Sequence, residues 1–265
     1  MDHLARMPVP VRGGLRLSLA ALSLTLLLAG VGCGVLSDPH VLRVGSDLAN
    51  PPFAFVDDAG EPAGKEPAML RALAGELNLE LRWQRMEFGE LIDAIEAGEI
   101  DVACATMGVT AERAERVRFS VPYFETTIAV VVRAGEGEPA AIDDLADLRV
   151  AASRGTTSEF AVRDVLPRAT WHFGSEKDGP VAERLFGREI DAAVMDGPNA
   201  RALAEAHEEL RMLPEPLAAE RYAIAIDPRR EKLAERIDRA LEVLRKREEL
   251  PGVPSVPRKS GTEPR

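Results

Sequence analysis

Cysteine, histidine and aromatic residues are scarce in this 265-residue chain: two Cys, four His, two Trp, two Tyr and eight Phe. Cysteines as distant as Cys33 and Cys104 make neither a disulfide framework nor a thiolate metal site. The histidines, His3, His40, His172 and His207, fall in no motif, and no nucleophile–His–acid set is legible. No metal and no cofactor is expected. A basic surplus is also missing. The formal net charge is −11, from 33 Lys and Arg against 44 Asp and Glu. That balance argues against nucleic acid as a partner and against a polybasic membrane-surface role. The apolar run at residues 17–28 is the chain's one membrane-like stretch, and it falls short of the roughly twenty residues that a bilayer span needs.

What precedes and follows that run is informative. Arg6, Arg12 and Arg16 come before it and small residues lead from it to Cys33, the layout of a secretory signal over residues 1–33. An uncleaved anchor helix is the alternative. Residues 28–33, LAGVGC, resemble a bacterial lipobox, with Gly30 where an aliphatic residue is usual. The resemblance implies that Cys33 is acylated and becomes the mature N-terminus, in place of a plain cleaved signal. Two acyl chains on one cysteine give lasting attachment to a membrane. Cys104, inside the apolar residues 102–105, reads as a small buried hydrophobe.

From residue 41 onward, short apolar runs alternate with amphipathic segments. Residues 41–45 read as a strand and 68–77 as a helix with Met69, Leu70, Leu73 and Leu77 on one side. A strand at 79–83 follows, then a helix marked by Leu91, Ile92 and Ile95 and stopped by Gly98, then a buried strand at 102–105. This βαβα order predicts a largely parallel sheet with helices on its faces. After the β-branched run at 128–133, Gly135, Gly137 and Pro139 break the chain and a second series begins. Its strands are expected at 148–152, 171–173 and 192–195, with His172 on the strand surface, and its helices at 158–165, 181–186 and 200–206. A late strand at 222–226 and an amphipathic helix at 232–247, with Leu233, Ile237, Leu241 and Leu244 inward, close the body. Residues 251–265 hold prolines and then polar residues, and read as a disordered tail. Two α/β series joined by an extended run predict two lobes. The pattern permits the late strand and last helix to return to the first lobe without requiring it.

Residues 98–113, GEIDVACATMGVTAER, continued by 117–124, VRFSVPYF, resemble the signature of the family 3 extracellular solute-binding proteins, the polar amino-acid receptors of ABC importers. Three further pieces match in order: LRVGSD at 42–47 with PPF at 51–53, ASRGTTS at 152–158, and IDAAVMD at 190–196. Four motifs in order are far more specific than any one alone. The resemblance implies a two-lobed, type II periplasmic-binding-protein-like α/β fold, each lobe a mostly parallel sheet flanked by helices. The lobes are joined by two hinge crossings, at 123–127 and 218–222. Lobe 1 would be residues 41–122 plus 223–250, and lobe 2 residues 128–217. It further implies an extracytoplasmic monomer that holds a small amino-acid-like ligand in the cleft and delivers it to the membrane permease of an ABC importer.

A free amino acid presents a carboxylate and an ammonium, so its receptor needs donors for one and an acceptor for the other. Arg113 can grip a carboxylate through two parallel hydrogen bonds. Thr156 and Thr157 lie at a helix start, where free N–H groups favour an anion. Asp196, after a buried strand, can face the ammonium. The resemblance assigns these residues those tasks; taken singly, each reads better as a solvated helix residue, an N-cap or a loop acid, and it is as an ordered set that they favour the binding roles. Phe88 matches a position whose ring packs on the ligand, or it is a core aromatic. Phe53 and Phe55 read as core. Asp47 matches a position near the ligand side chain and would suit a polar or cationic one. Ala105, Thr106 and Ser153 complete the implied ligand set, together with several departures: Ser153 and Met195 stand where the family often has polar or charged residues near the ligand side chain. Asn50 stands where many members have a second aromatic wall, and Gly108 where many have a hydroxyl. Glu66, in Gly64-Lys65-Glu66, reads better as a solvated loop acid than as a pocket residue.

Two other functions stay open on sequence grounds. One is a dehydratase-like enzyme on the same fold, in which Glu66 or Asp47 would serve as general acid or base. The other is a ligand-sensing adaptor. The anchoring expectation is checked by expressing the full chain in a bacterium fed labelled palmitate. The label should enter the protein and be lost in Cys33→Ser; equal labelling of both removes Cys33 as the acylation site.

Overall fold

The computed structural model describes residue 38 and residues 40–174 and 179–247. The signal expected at 1–33, Cys33 within it, and the tail at 251–265 lie outside the described residues.

The first lobe begins with β1 (Val41–Ser46), followed by a small antiparallel sheet of β2 (Ala49–Asn50), β3 (Ala54–Val56) and β4 (Pro62–Ala63). Next come α1 (Lys65–Leu77), β5 (Glu80–Arg85), α2 (Leu91–Ala97), β6 (Val102–Ala103), α3 (Ala111–Ala114) and β7 (Arg118–Phe119). The long β8 (Phe124–Arg133) carries the chain into the second lobe. There follow β9 (Arg149–Ser153), α4 (Thr157–Val165), β10 (Thr170–Gly174), α5 (Val181–Phe186), β11 (Ala192–Asp196), α6 (Gly197–Ala206) and β12 (Leu210–Met212). Finally β13 (Ala218–Tyr222), β14 (Ala225–Ile226) and α7 (Glu231–Lys246) close the described chain.

The first sheet has the order β5-β1-β6-β14-β7 and the second β10-β9-β11-β8-β12, with β13 also on β8. The expected parallel pairing holds across β5-β1-β6 and across β10-β9-β11. The antiparallel pairs come from the strands that cross between lobes: β14 returns against β6 and β7, and β8 enters against β11, β12 and β13. Both sheets are buried on both faces. In the first, Leu42, Val44 and Val102 pack under α1 and α7, while Ala103 and Ala225 pack under α2. In the second, Val130, Val150 and Val194 face α4, while Val131, Ala151 and Ala193 face α5 and α6. That is why the inner stretches at 128–132, 150–152 and 192–194 read as unbroken apolar runs.

The strand expected at 222–226 is in fact two. Tyr222 ends β13 on the second sheet and Ala225 opens β14 on the first. Residues 222–226 are each fully buried, so no polar residue marks the point where the chain changes sheets. The last helix then packs Ile237, Leu241 and Leu244 against Met69, Leu70 and Leu73 of α1.

One device fixes both sheets. Asp101, 0% exposed and just ahead of β6, accepts hydrogen bonds from the backbone N–H (2.9 Å) and the guanidinium of Arg43 in β1. It also pairs with Arg230 at 3.0 Å, at the start of α7. In the second lobe Asp191, just ahead of β11, accepts from the backbone N–H (3.0 Å) and guanidinium of Arg149 in β9, and pairs with Arg133 of β8 at 3.3 Å. The Arg149 hydrogen bonds hold Asp191 down to about 2. Both aspartates follow a Glu-Ile pair, at 99–100 and 189–190.

Glu66 is not the solvated loop acid expected from its Gly-Lys-Glu setting. It lies in the first turn of α1 at 1% exposure. Its Oε1 accepts from the backbone N–H of Thr106 (2.6 Å) and from the Tyr123 hydroxyl, and its Oε2 is buried with no hydrogen-bond partner among the described residues. Helix α1 starts three residues earlier than its apolar periodicity suggested, and that draws Glu66 inward. Burial, the largest influence, pushes its carboxyl up to about 7. Thr106 itself has a left-handed backbone, φ 47°, which costs a β-branched residue energy and is held here by that bond.

Two outcomes follow from these buried charges. Asp101→Ala should lower unfolding free energy by about 3–5 kcal/mol, the usual cost of removing one partner from a buried ion pair, as measured by urea titration. An unchanged midpoint would mean that the pin carries no stability. Glu66 has a folded value raised from an ordinary 4.5 to about 7, so its contribution is full below the unfolded value and is lost as pH rises through 7. The loss totals about 3 kcal/mol. Melting temperature should therefore fall between pH 5 and pH 8, and Glu66→Gln should flatten that fall; an equally steep profile in the variant removes Glu66 as its source.

Candidate ligand-binding cleft

A cavity of about 660 Å³ lies between the two lobes, a size common for small-molecule sites. Ten of the eleven residues expected at a ligand line it. Asp47, Asn50, Phe88, Thr106, Gly108 and Arg113 come from the first lobe, and Ser153, Thr156, Thr157 and Asp196 from the second. Ala105 does not line it. Residues 103, 105 and 107 alternate toward α2, so Ala105 is 2% exposed in the core beside Leu91 and Met107.

Local structure aims these groups. The Thr110 hydroxyl caps α3 by accepting the Arg113 backbone N–H at 3.2 Å, which sets Arg113 one turn into that helix. The Arg113 guanidinium, 7% exposed, donates to Gly108 O at 2.7 Å and across the cleft to Gly155 O at 2.9 Å. Of its five N–H donors, these bonds use two. Burial pulls its pKa below the ordinary arginine value. Phe88, in a short turn at Phe88–Glu90, lies 5.2 Å from the Arg113 guanidinium while packing against the α2 core. It is therefore both a core aromatic and part of the cavity wall.

Asn50, where an aromatic wall is usual, forms a polar bridge instead. Its Nδ2 donates to Thr106 Oγ1 at 2.8 Å and its Oδ1 accepts from Asn199 of α6 at 3.0 Å, linking the lobes. Thr156 sits at the N-cap position of α4, but its hydroxyl donates to Ser153 O at 2.7 Å. The first N–H groups of α4 have no intrahelical acceptor, and its first turn lines the cavity. Asp196 ends β11 and starts α6, and its Oδ2 accepts from the Tyr222 hydroxyl at 2.6 Å. Burial raises its carboxyl pKa.

Glu220 is the residue that sequence reasoning missed. It sits on β13, 5% exposed, and its Oε1 accepts from the Thr157 hydroxyl. Burial first, and then the charge of Asp196, push it up to about 8. One signal was available: Glu220 lies two residues before Tyr222 on one strand, hence on the same face as a buried ring. His172, expected on the strand surface, is half-buried with a buried Nε2 that has no hydrogen-bond partner among the described residues. It is not part of the cavity lining.

Comparison with known proteins matches this geometry to a family. The chain is 28% identical over 218 residues to the probable amino-acid-binding protein YxeM of Bacillus subtilis, covering 79% of this chain and 80% of that protein. An ancestral arginine-binding protein bound to arginine superposes with a TM-score of 0.72 at 30% identity, over 80% of this chain and 95% of that one. An ancestral amino acid-binding protein described as a precursor of cyclohexadienyl dehydratase superposes at 0.71 with 27% identity, over 80% and 92%. Among the described residues no helix is long and apolar enough to cross a membrane. Residues 42–252 match the family model, and the chain belongs to the bacterial extracellular solute-binding proteins, family 3.

Proposed function

We propose that this chain is an extracytoplasmic receptor that holds a free amino acid in the interlobe cavity and delivers it to the permease of an ABC importer. One observation carries the reading: Arg113 and Asp196, the cation and the acid that an amino acid's two charges require, line one cavity from opposite lobes. A ligand held by both ties the lobes together. Arg113 and the first turn of α4 take the carboxylate, Asp196 takes the ammonium, and Phe88 forms an apolar wall. Asp47, Glu87 and Glu90 line the same cavity alongside Arg85 and Arg154, which suits a polar or charged side chain, and the likeness to a protein bound to arginine supports a cationic one. Acylation of Cys33 would tether the receptor to the membrane.

A dehydratase-like enzyme needs an acid or base in the cavity. Glu66, one of the two acids that would have to serve, is absent from its lining and is committed to Thr106 and Tyr123. Asp47 does line the cavity, so this removes Glu66 alone as the acid or base of such an enzyme.

The test is a thermal-shift screen of the purified protein, unfolded and refolded to strip ligand, against the twenty amino acids. At 100 times the dissociation constant a ligand adds about 2.7 kcal/mol, roughly 5–10 °C for a chain of this size. Arg113→Ala and Asp196→Ala should each weaken binding by about 100-fold, as loss of a buried charge partner does. A larger shift with aspartate or glutamate than with arginine or glutamine would remove the cationic side-chain preference. No shift with any amino acid would discard the amino-acid reading.

A further inference from the structure

Position 108 has no room for a side chain. A Cβ there would lie 2.5 Å from Glu220 Oε1 and 2.5 Å from Thr157 Cγ2, so even alanine would force a shift. Glu220 fills the space that a residue-108 side chain would take. It stands directly behind Gly108 and Thr157, both of which line the cavity. Its Oε1 accepts from Thr157, its Oε2 is buried, and its carboxyl interacts directly with that of Asp196. The titratable groups acting on or acted on by it are Asp196, Arg113 and Tyr222. The Tyr222 hydroxyl is spent on Asp196, and Arg113 spends two donors on Gly108 O and Gly155 O. Two buried acids thus share one end of the cavity with a cation whose hydrogen bonds go elsewhere.

Resting on the amino-acid reading above, we infer that Glu220 is a second acid of the ammonium subsite, which holds a proton in the empty cleft and releases it when a cationic ligand group arrives. Burial and the Asp196 charge, which place Glu220 at about 8, keep it neutral at physiological pH. An ammonium beside Asp196 supplies the missing positive charge. Neutral Glu220 plus the ammonium becomes a carboxylate facing an ammonium, with one proton passed to solvent. Glu220 acts from behind Gly108 by charge, so it sets the strength and pH dependence of binding for ligands that bring a cation. The lack of a side chain at residue 108, a departure from the family's usual hydroxyl, is what admits it.

Calorimetry tests this on the purified protein, using each of the twenty L-amino acids as probe and then, with the tightest binder, phosphate and Tris buffers from pH 6 to 8. The wild type should release close to one proton per ligand near pH 7 and less at pH 6, and affinity should rise by up to about tenfold per pH unit toward pH 8. Glu220→Gln keeps the volume and an oxygen for Thr157. It should match the wild type at pH 6, fall roughly tenfold or more behind at pH 8, and release no proton. Wild-type binding without proton exchange overturns this inference and leaves the amino-acid reading standing. The same holds if Glu220→Gln releases the same proton, which would then belong to another group such as Glu66. Binding of none of the twenty overturns both readings together.

Discussion

The antiparallel pairing of β8 with β13 is the constraint on which the rest of the site depends. It runs from Phe124 opposite Tyr222 to Ile128 opposite Ala218, through the residues where the chain passes between sheets. Gly108 bridges to Tyr222 at the end of this ladder. The Tyr222 ring stacks on Phe124 at 5.6 Å and meets the edge of Phe53 at 5.6 Å. One short ribbon therefore fixes the aromatic packing under the first lobe, the hydroxyl that orients Asp196 and the carboxyl behind Gly108. Strand alternation puts Glu220 and Tyr222 on the same face, and that face is turned to the cavity wall.

Buried charge is used in two opposite ways in this molecule. Asp101 and Asp191 are surrounded by arginine and backbone donors, so each carboxyl group is well satisfied and serves to lock a sheet. At the cavity the charged groups are less completely paired. Asp196 and Glu220 are both raised by burial, and Arg113 is lowered by it. Under-paired groups of this kind cost stability in the empty protein, and they concentrate where a ligand's own charges can complete them.

Two of the departures from the family pattern, Asn50 and Gly108, have partners elsewhere in the fold. Asn50 gives up an aromatic wall but spans from Thr106 to Asn199, so a polar link across the cleft stands where a ring would. Gly108 gives up a hydroxyl, and the space goes to a carboxyl reaching in from β13. In each case the substituted position and its partner lie on segments far apart in sequence, 149 residues for Asn50 and Asn199.

By itself the sequence determined the local elements and the order of the motifs. Period-2 and period-3.6 patterning located the strands and helices, Gly98 stopped α2 in a left-handed cap as expected (φ 73°), and Arg113 and Asp196 were legible because short motifs carry them. Tertiary structure decided what local patterning does not encode. A uniformly apolar run from 222 to 226 gave no hint that the chain changes sheets within it, because both sides of that passage are buried. The burial of Glu66 depends on Thr106, 40 residues away, and on Tyr123, 57 away. Ala105 faces α2 and not the cavity through strand alternation after β6. Glu220 meets Thr157, 63 residues distant, only because β13 pairs with β8. Periodicity reports which face of an element is apolar; which charged groups meet at that face is set by long-range pairing, and that is where the chemistry of this cleft was decided.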